Sequence, residues 1–156
     1  MWKKKKNRKK TRQKKQAELP VKPMSISEVR TAVQKYSAEL SSEIPLGVLI
    51  NEDRTIDYDL LAPYLQAKPE DTYYMSRETY ELFEEKDKQL AEDIDTVQQA
   101  VDNYMDQQKE LPIIDGDPHR KVSYFKLEKL GLLTTRPDRP FYLTDEEYLI
   151  THKQPT

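Results

Sequence analysis

Residues 26–36 read ISEVRTAVQKY and residues 94–104 read IDTVQQAVDNY, and this pair of stretches decides the fold. In both stretches apolar residues recur at steps of three and four, which is the spacing of one stripe along an α-helix. Ser25 and Glu28 have the pattern of a capping box, which predicts that the first helix begins directly after Ser25. Five positions of the two stripes match at an offset of 68 residues: Ile26, Val29, Ala32, Val33 and Tyr36 with Ile94, Val97, Ala100, Val101 and Tyr104.

The similarity extends outward from the helices until residues 26–83 correspond to residues 94–151. The distance between matched positions changes slightly at two places, and the two changes cancel each other. The matched residues occur in the same order in both segments. The matched landmarks are Ile44-Pro45 with Leu111-Pro112, Ile56 with Val122, Tyr58 with Tyr124, Leu61 with Leu127, Pro69 with Pro137, and residues 73–76 with 141–144. The sequence therefore predicts an internal duplication of a unit of about 58 residues.

A unit of this size is marginal on its own, because its surface is large relative to its volume. We therefore predict that two tandem repeats of helix and short strand pack about a pseudo-twofold axis into one body. The predicted class is α+β with helix in the majority. The predicted organisation is a disordered polybasic arm at residues 1–24, repeat unit 1 at 26–83, a helical connector at 84–93 and repeat unit 2 at 94–151.

Each repeat has the same predicted plan after its first helix. The Ile44-Pro45 and Leu111-Pro112 pairs end the helices, because a residue before proline avoids the α region. The elements predicted to follow are a short strand (residues 46–50 and 113–114), a turn, a second helix (58–65 and 124–132) and an aromatic strand (73–75 and 141–143). For residues 76–83 and 144–151 the sequence leaves both a helical turn and a hairpin open.

Charge is strongly segregated along the 156 residues, although the formal net charge is −2. Residues 1–22 contain eleven basic side chains and one acid, whereas the rest contains 15 basic and 27 acidic side chains. Such dense like charge with little apolar surface predicts disorder.

The predicted polyanion-binding residues are Lys3, Lys4, Lys5, Lys6, Arg8, Lys9, Lys10, Arg12, Lys14 and Lys15. RNA or the ribosome, DNA, and an anionic membrane surface are all partners that counterion release would favour; a solubilising tail, or one that folds back on the acidic body, is the alternative.

Composition excludes several classes of protein. Without cysteine the chain has no disulfide framework, no cysteine-ligated zinc and no thiol nucleophile. No apolar run approaches the ~18 residues that a membrane span needs. The basic segment is followed by Gln16–Pro23 rather than by the apolar stretch of a signal peptide. We therefore expect a cytoplasmic protein, either free or peripheral to the membrane.

The residues that could carry chemistry do not assemble into a recognisable site. Eight of the ten tyrosines form matched pairs between the repeats, which favours core packing over a stacking platform for bases or sugars. The loop of residues 115–119, DGDPH, lacks the ligand spacing of a calcium loop. His119 and His152 could act as bases for a nucleophilic serine, but the sequence contains no serine motif such as G-x-S-x-G. We therefore expect no catalytic residue, no metal and no cofactor.

Residues 124–144 resemble the end of a winged-helix domain: a helix, a Leu-Gly-Leu-Leu exit, a basic hairpin and a strand. The resemblance implies that Lys126, Lys129, Arg136 and Arg139 face phosphates. The first repeat has a proline and acids at the corresponding stretch, which argues against this resemblance. The second anion patch that we predict consists of His119, Arg120, Lys121, Lys126, Lys129, Arg136 and Arg139.

The leading functional prediction is a non-enzymatic cytoplasmic interaction or adaptor protein. Its polybasic arm, residues 1–22, docks on a polyanion, and its acidic body binds a protein partner that the sequence does not identify. The first alternative is a nucleic-acid-binding protein that uses the winged-helix-like region of repeat 2. The second is a peripheral protein of an anionic membrane surface, and an enzyme acting at the cleft between the halves comes last.

Overall fold

The structure is a computed structural model that describes residues 19–146 and 148–155. The ten predicted polyanion-binding residues of the arm lie outside these described residues. Within the described part, residues 19–24 correct the predicted boundary of the disordered arm. Val21–Lys22 forms a short strand, β1, that pairs in parallel with β2, Lys68–Pro69. The backbone of this segment is therefore fixed by pairing to a later part of the chain, which the charge pattern does not reveal.

Helices and short strands are mixed in the described chain, with more residues in helices than in strands. No helix of the described residues is both long and apolar enough to cross a membrane. The α-helices are α1 (Ile26–Glu39), α2 (Tyr58–Leu65), α3 (Lys88–Gln107) and α4 (Tyr124–Lys129), with 3-10 helices at Leu46–Leu49 and Glu85–Asp87. The remaining strands pair antiparallel as β3 (Tyr73–Met75) with β4 (Leu82–Glu84) and β5 (Tyr142–Leu143) with β6 (Ile150–Thr151).

The chain divides into two compact units. Among the described residues, unit 1 contains residues 19–75 and 82–86, and unit 2 contains residues 76–81, 87–146 and 148–155. The predicted repeats, 26–83 and 94–151, differ from these units at one place, and the predicted connector, 84–93, is divided between the units. The loop of the first hairpin, residues 76–81, is part of unit 2, and so is the start of α3 from Lys88 onward.

Unit 1 is built around α1. The predicted capping box is confirmed, because Ser25 Oγ accepts from Glu28 N at 3.2 Å and Glu28 Oε2 accepts from Ser25 N at 2.9 Å. The apolar stripe of α1 packs against α2 and β4. The buried core of the unit consists of Val29, Ala32, Val33, Leu49, Ile56, Leu61, Tyr73, Met75 and Leu82.

The strand predicted at residues 46–50 is wrong, because Leu46–Leu49 forms a 3-10 helix. Pro45 precedes this helix and its carbonyl accepts from Val48 N at 3.3 Å. The tight turn buries Leu49 completely, and only Ile50 makes the extended bridge, to Ile56. The segment is therefore stabilised by burial of one leucine rather than by a ladder of strand hydrogen bonds.

Both segments that the sequence left open are hairpins. Tyr74 pairs with Phe83 in the first hairpin, and Leu143 pairs with Ile150 in the second. Near the end of each loop a tyrosine adopts the left-handed conformation, with φ of 59° at Tyr80 and 61° at Tyr148. Tyrosine rarely takes this conformation, because its Cβ crowds the following carbonyl.

Unit 2 is organised by α3, whose predicted stripe is buried from Leu90 to Tyr104. The helix predicted at residues 124–132 ends earlier, at Lys129. Gly131 has a φ of 71°, and its N–H donates to the Glu128 carbonyl at 2.9 Å, so the chain turns out of the helix there. This is the familiar ending of a helix at a glycine in the left-handed conformation.

Candidate functional site

Three adjoining hollows surround α4 in unit 2, with volumes of about 450, 470 and 430 Å³. The first and second share Ile114, Ser123 and Phe125, and the second and third share residues 136–138. Neighbouring hollows are separated by the residues that line both of them, so the three form a series along one surface. We call this series the α4 cleft, and define it by α4, Ile114 and the loop of residues 134–140.

The apolar rim of the α4 cleft comes from residues that the fold turns outward. Ser123 caps α4, its Oγ accepting from Lys126 N at 3.2 Å, and Leu127 is buried in the core. Phe125 lies two positions before Leu127, about 200° around a helix of 3.6 residues per turn, and is 64% exposed. Ile114 and Leu130 beside it are 43% and 38% exposed. Single exposed apolar residues are ordinary, whereas several that line one cleft are typical of an interaction site.

The first hollow has a polar wall next to this apolar rim. Tyr104 Oη donates to Glu110 Oε1 at 2.5 Å, and burial, this hydrogen bond and the nearby carboxylates raise the pKa of Tyr104 to about 12. Lys126 Nζ lies 3.1 Å from Asp115 Oδ1 and 3.9 Å from Glu110 Oε2. The ammonium group is therefore already neutralised by two carboxylates.

The loop of residues 134–140 forms the wall of the other two hollows. Tyr124 Oη donates to the carbonyl of Arg139 at 2.5 Å and thereby fixes the loop to α4. Arg139 Nε lies 3.6 Å from Asp93 Oδ2 without making a hydrogen bond among the described residues. Arg136 makes two hydrogen bonds to Glu128, at 3.0 and 2.7 Å, and lowers the pKa of that carboxyl.

The predicted second anion patch is only partly assembled. Lys121, Lys126, Lys129, Arg136 and Arg139 all line the α4 cleft. Arg120 instead pairs with Asp145, and the His119 ring lies edge-on against Tyr142 at 6.5 Å. Four of the seven cations have carboxylate partners, whereas Lys121 and Lys129 have none within the described part of the chain: the pairs are Arg120–Asp145, Lys126–Asp115, Arg136–Glu128 and Arg139–Asp93.

The winged-helix resemblance is not supported by the geometry that follows α4. It implies a basic hairpin directly after the helix, but residues 130–141 contain no strand. The hairpin that does form, β5–β6, has Asp145 and Glu146 in its loop, which are acidic. Arg136, which the resemblance aims at phosphates, is held by Glu128 instead. The basic wing that would contact a nucleic-acid backbone is therefore missing from the described residues.

A buried carboxylate on α3 is a second feature that the sequence did not reveal. Asp95 is 2% exposed and accepts hydrogen bonds from Ser76 Oγ at 2.7 Å, Arg77 N at 3.0 Å and Glu78 N at 2.9 Å. Burial raises the pKa of Glu78, and the charges of Asp102 and Asp95 add to the rise. Because the oxygens of Asp95 are occupied by donors of the turn, the group stabilises the turn and is not a free base.

The described residues show no assembled metal site. No group of three or more His, Asp or Glu residues there is arranged to hold a metal ion.

The exposed members of the α4 cleft, Ile114, Phe125 and Leu130, were not predicted as functional. The only signal was the position of Phe125, which does not belong to the apolar stripe that buries Leu127. The arrangement places exposed apolar side chains beside charged groups and can bind an apolar group there.

Comparison with known proteins places these features in a family. Residues 19–152 match the family model described as "Protein of unknown function (DUF3939)". The match begins where the described residues begin and covers both units. No curated protein and no solved structure matches the chain.

Proposed function

We propose that this chain, which belongs to the DUF3939 family, is a cytoplasmic interaction protein without catalytic activity. In this proposal the basic residues 1–22 bind a polyanion, and the body binds a protein partner through the α4 cleft. The arm would localise the protein, and the cleft would select the partner. The two activities belong to separate parts of the sequence and can be tested separately.

The observation that carries the proposal is the exposed apolar rim of the α4 cleft, above all Phe125. A surface for nucleic acid needs basic side chains that are free to meet phosphates. Here Lys126, Arg136 and Arg139 are already matched with carboxylates. Aromatic and aliphatic side chains beside paired charges are instead the usual composition of a protein-binding surface.

An origin of the two units by duplication is part of the proposal. Its support is a set of backbone details that recur at the offsets of the sequence match. Arg54 and Arg120 both have positive φ, 71° and 58°, although neither is glycine. Their carbonyls accept corresponding hydrogen bonds, from Met75 N at 2.8 Å and from Leu143 N at 2.9 Å. Rare conformations at matched positions are difficult to explain by chance.

The proposed duplication also separates what is shared from what is special to unit 2. At the matched offset, Leu130 corresponds to Tyr64 of unit 1. Tyr64 packs edge-on against Tyr36, with ring centroids 6.5 Å apart, and donates to Glu39. Leu130 lines the first hollow of the α4 cleft, and Tyr64 lines a hollow of about 430 Å³ in unit 1. The difference that places the proposed partner site in unit 2 is Phe125, which is 64% exposed and corresponds to Asp59 in unit 1.

The test of the cleft is photo-crosslinking from single positions of the full chain in cells. We expect a photoreactive phenylalanine analogue at Phe125 to give an adduct that protease destroys and nuclease does not. The matched control is the same analogue at Leu60 on α2 of unit 1, which should give no such adduct. A nuclease-sensitive adduct at Phe125, or none, would contradict protein binding by the cleft.

The test of the arm compares the natural chain with a variant whose ten arm cations are replaced by glutamine. We expect binding to labelled RNA, DNA or anionic vesicles to disappear in this variant, and to weaken steeply with salt in the natural chain. The three probes identify which polyanion binds best. The Phe125→Ala variant is the control and should keep this binding. Polyanion binding that survives neutralisation of the arm would contradict the proposal.

A further inference from the structure

We propose that the α4 cleft binds an extended peptide segment of a partner protein, in which apolar side chains are flanked by carboxylates. This inference rests on the proposed function and names the chemistry of its partner. Three observations support it: the division of the cleft into successive hollows, its exposed apolar rim, and the distribution of charge along its walls.

The shape of the α4 cleft favours an extended chain over a helix. A helix lays one continuous face into one continuous groove, whereas the side chains of an extended peptide enter separate pockets. Phe125 stands between the first and second hollows, and residues 136–138 stand between the second and third. Each hollow, at 430 to 470 Å³, is large enough for a side chain of any size.

The apolar part of the cleft is placed to hold anchor residues. Ile114 and Phe125 contribute to two hollows at once, and Leu130 adds to the first. Pro137 and Pro140 also line the second hollow, and their rigid rings lose no side-chain freedom on binding. Peptide side chains that enter such preformed hollows supply most of the binding energy of a small interface.

Charge in the cleft differs from charge in the rest of unit 2. The sequence of unit 2 contains ten basic and sixteen acidic side chains. Five of the basic residues line the cleft, against four of the acids, so the cleft is the less acidic part of an acidic unit. Lys121 and Lys129 have no carboxylate partner among the described residues, and Arg139 Nε makes no hydrogen bond there.

The two unpaired lysines determine the charge of the peptide. Lys121 lines the second hollow and Lys129 lines the first, and Phe125 lines both. Carboxylates that flank an apolar anchor would meet these two ammonium groups, whereas a basic peptide would oppose them with like charge. A nucleic acid would need more free cations than the two lysines that the described residues leave unpaired.

The experiment is a selection of random twelve-residue peptides on the immobilised full chain. Salt of about 0.3 M suppresses long-range attraction by the basic arm. Peptides that also bind the Phe125→Ala variant are removed, because that variant keeps the arm. We expect the remaining peptides to carry apolar residues next to Asp or Glu, and to lose about tenfold in affinity for Phe125→Ala.

Charge is tested with the selected peptides themselves. The double substitution Lys121→Glu and Lys129→Glu should weaken them about tenfold, whereas Lys35→Glu on α1 of unit 1 should not. Leu60→Ala is the matched apolar control and should leave affinity unchanged. We expect the thermal unfolding of Phe125→Ala to be unchanged, because the side chain is 64% exposed. This result would exclude misfolding as the cause of the loss of peptide affinity.

The outcomes distinguish the inference from the function on which it rests. Basic or uncharged peptides that depend on Phe125 would overturn the acidic-peptide inference and leave the cleft a protein-binding site. The absence of any peptide that depends on Phe125 would overturn the inference, whereas protein binding by the cleft is overturned only if the crosslinked adduct at Phe125 is also absent. Self-association of the natural chain that Phe125→Ala abolishes would assign the cleft to a second copy and would equally overturn the inference. Binding of polyanions by the arm is unaffected by all three results.

Discussion

At the scale of single residues, the tyrosines show how one residue type serves different purposes at matched positions. Tyr58 and Tyr124 open the second helix of each unit, and burial raises the pKa of both. Tyr124 donates to the Arg139 carbonyl, whereas the buried hydroxyl of Tyr58 has no hydrogen-bond partner in the described chain. The ring is therefore needed at both positions, but the hydroxyl only at the second.

This difference predicts opposite results for the same substitution. Tyr124→Phe should lower the free energy of unfolding by about 1 to 2 kcal/mol, because it leaves the Arg139 carbonyl without its donor. Tyr58→Phe should leave the free energy unchanged or raise it by up to about 1 kcal/mol, because it removes a buried group that lacks a partner. Urea unfolding of both variants checks the pair, and a stability loss that is equal in the two would contradict it.

At the scale of elements, α3 stabilises both hairpin loops through side chains three positions apart. Asp95 accepts from the backbone and from Ser76 in the first loop. Gln98 donates to the Tyr148 carbonyl at 3.2 Å in the second loop, and accepts from Ile150 N at 2.9 Å where β6 begins. Positions i and i+3 lie on one face of a helix, so a single face of α3 meets both loops.

Asp95→Asn tests this arrangement. The amide group replaces an accepting oxygen with a donor that faces other donors, so we expect a loss of about 3 kcal/mol in the free energy of unfolding. Amide hydrogen exchange at Arg77 and Glu78 should accelerate in the variant. Asp106→Asn, at an exposed position of the same helix, is the control and should change stability by less than about 0.5 kcal/mol. Equal effects of the two substitutions would show that the contact to the loop is unimportant.

The elements also show which parts of the fold are readable from sequence. The long stripes predicted α1 and α3, because burial along a whole helix face leaves a periodic signal. The sequence did not distinguish the hairpins from helical turns. The reason is that the residue with left-handed conformation in each loop is Tyr80 or Tyr148 rather than the usual glycine or asparagine. The strand β1 could not be read at all, because its partner is 47 residues away.

One landmark of the sequence match between the two segments is displaced for a related reason. The sequence aligned Pro45 with Pro112, but equivalent backbone bonds run from Asp57 N to the Leu49 carbonyl and from Ser123 N to the Pro112 carbonyl. Pro112 thus makes the hydrogen bond that Leu49 makes in unit 1, where Leu46–Leu49 forms the 3-10 helix. The α4 cleft was missed because its exposed apolar residues interrupt a periodic pattern instead of producing one.

At the scale of the whole molecule, tyrosines are the groups whose protonation differs most consistently between the folded and unfolded chain. Burial is the largest cause that raises the pKa of Tyr58, Tyr73, Tyr104 and Tyr124, and a hydrogen bond to Glu39 is the largest for Tyr64. These groups lie in both units. In the unfolded chain each would titrate near its ordinary pKa of about 10.

Alkaline pH should therefore destabilise the protein as a whole. A raised pKa means that the folded state holds the proton more tightly, so the contribution to stability is complete below about pH 10 and is lost as the pH rises towards 12. The urea midpoint should fall between about pH 9 and pH 11, and ultraviolet absorption should show that a subset of tyrosines stays protonated until the chain unfolds. Tyr104→Phe, which removes a group with a pKa of about 12, should make the fall less steep. Titration of all ten tyrosines together near pH 10 in the folded protein would contradict this, because it would mean that their hydroxyl groups are exposed to solvent.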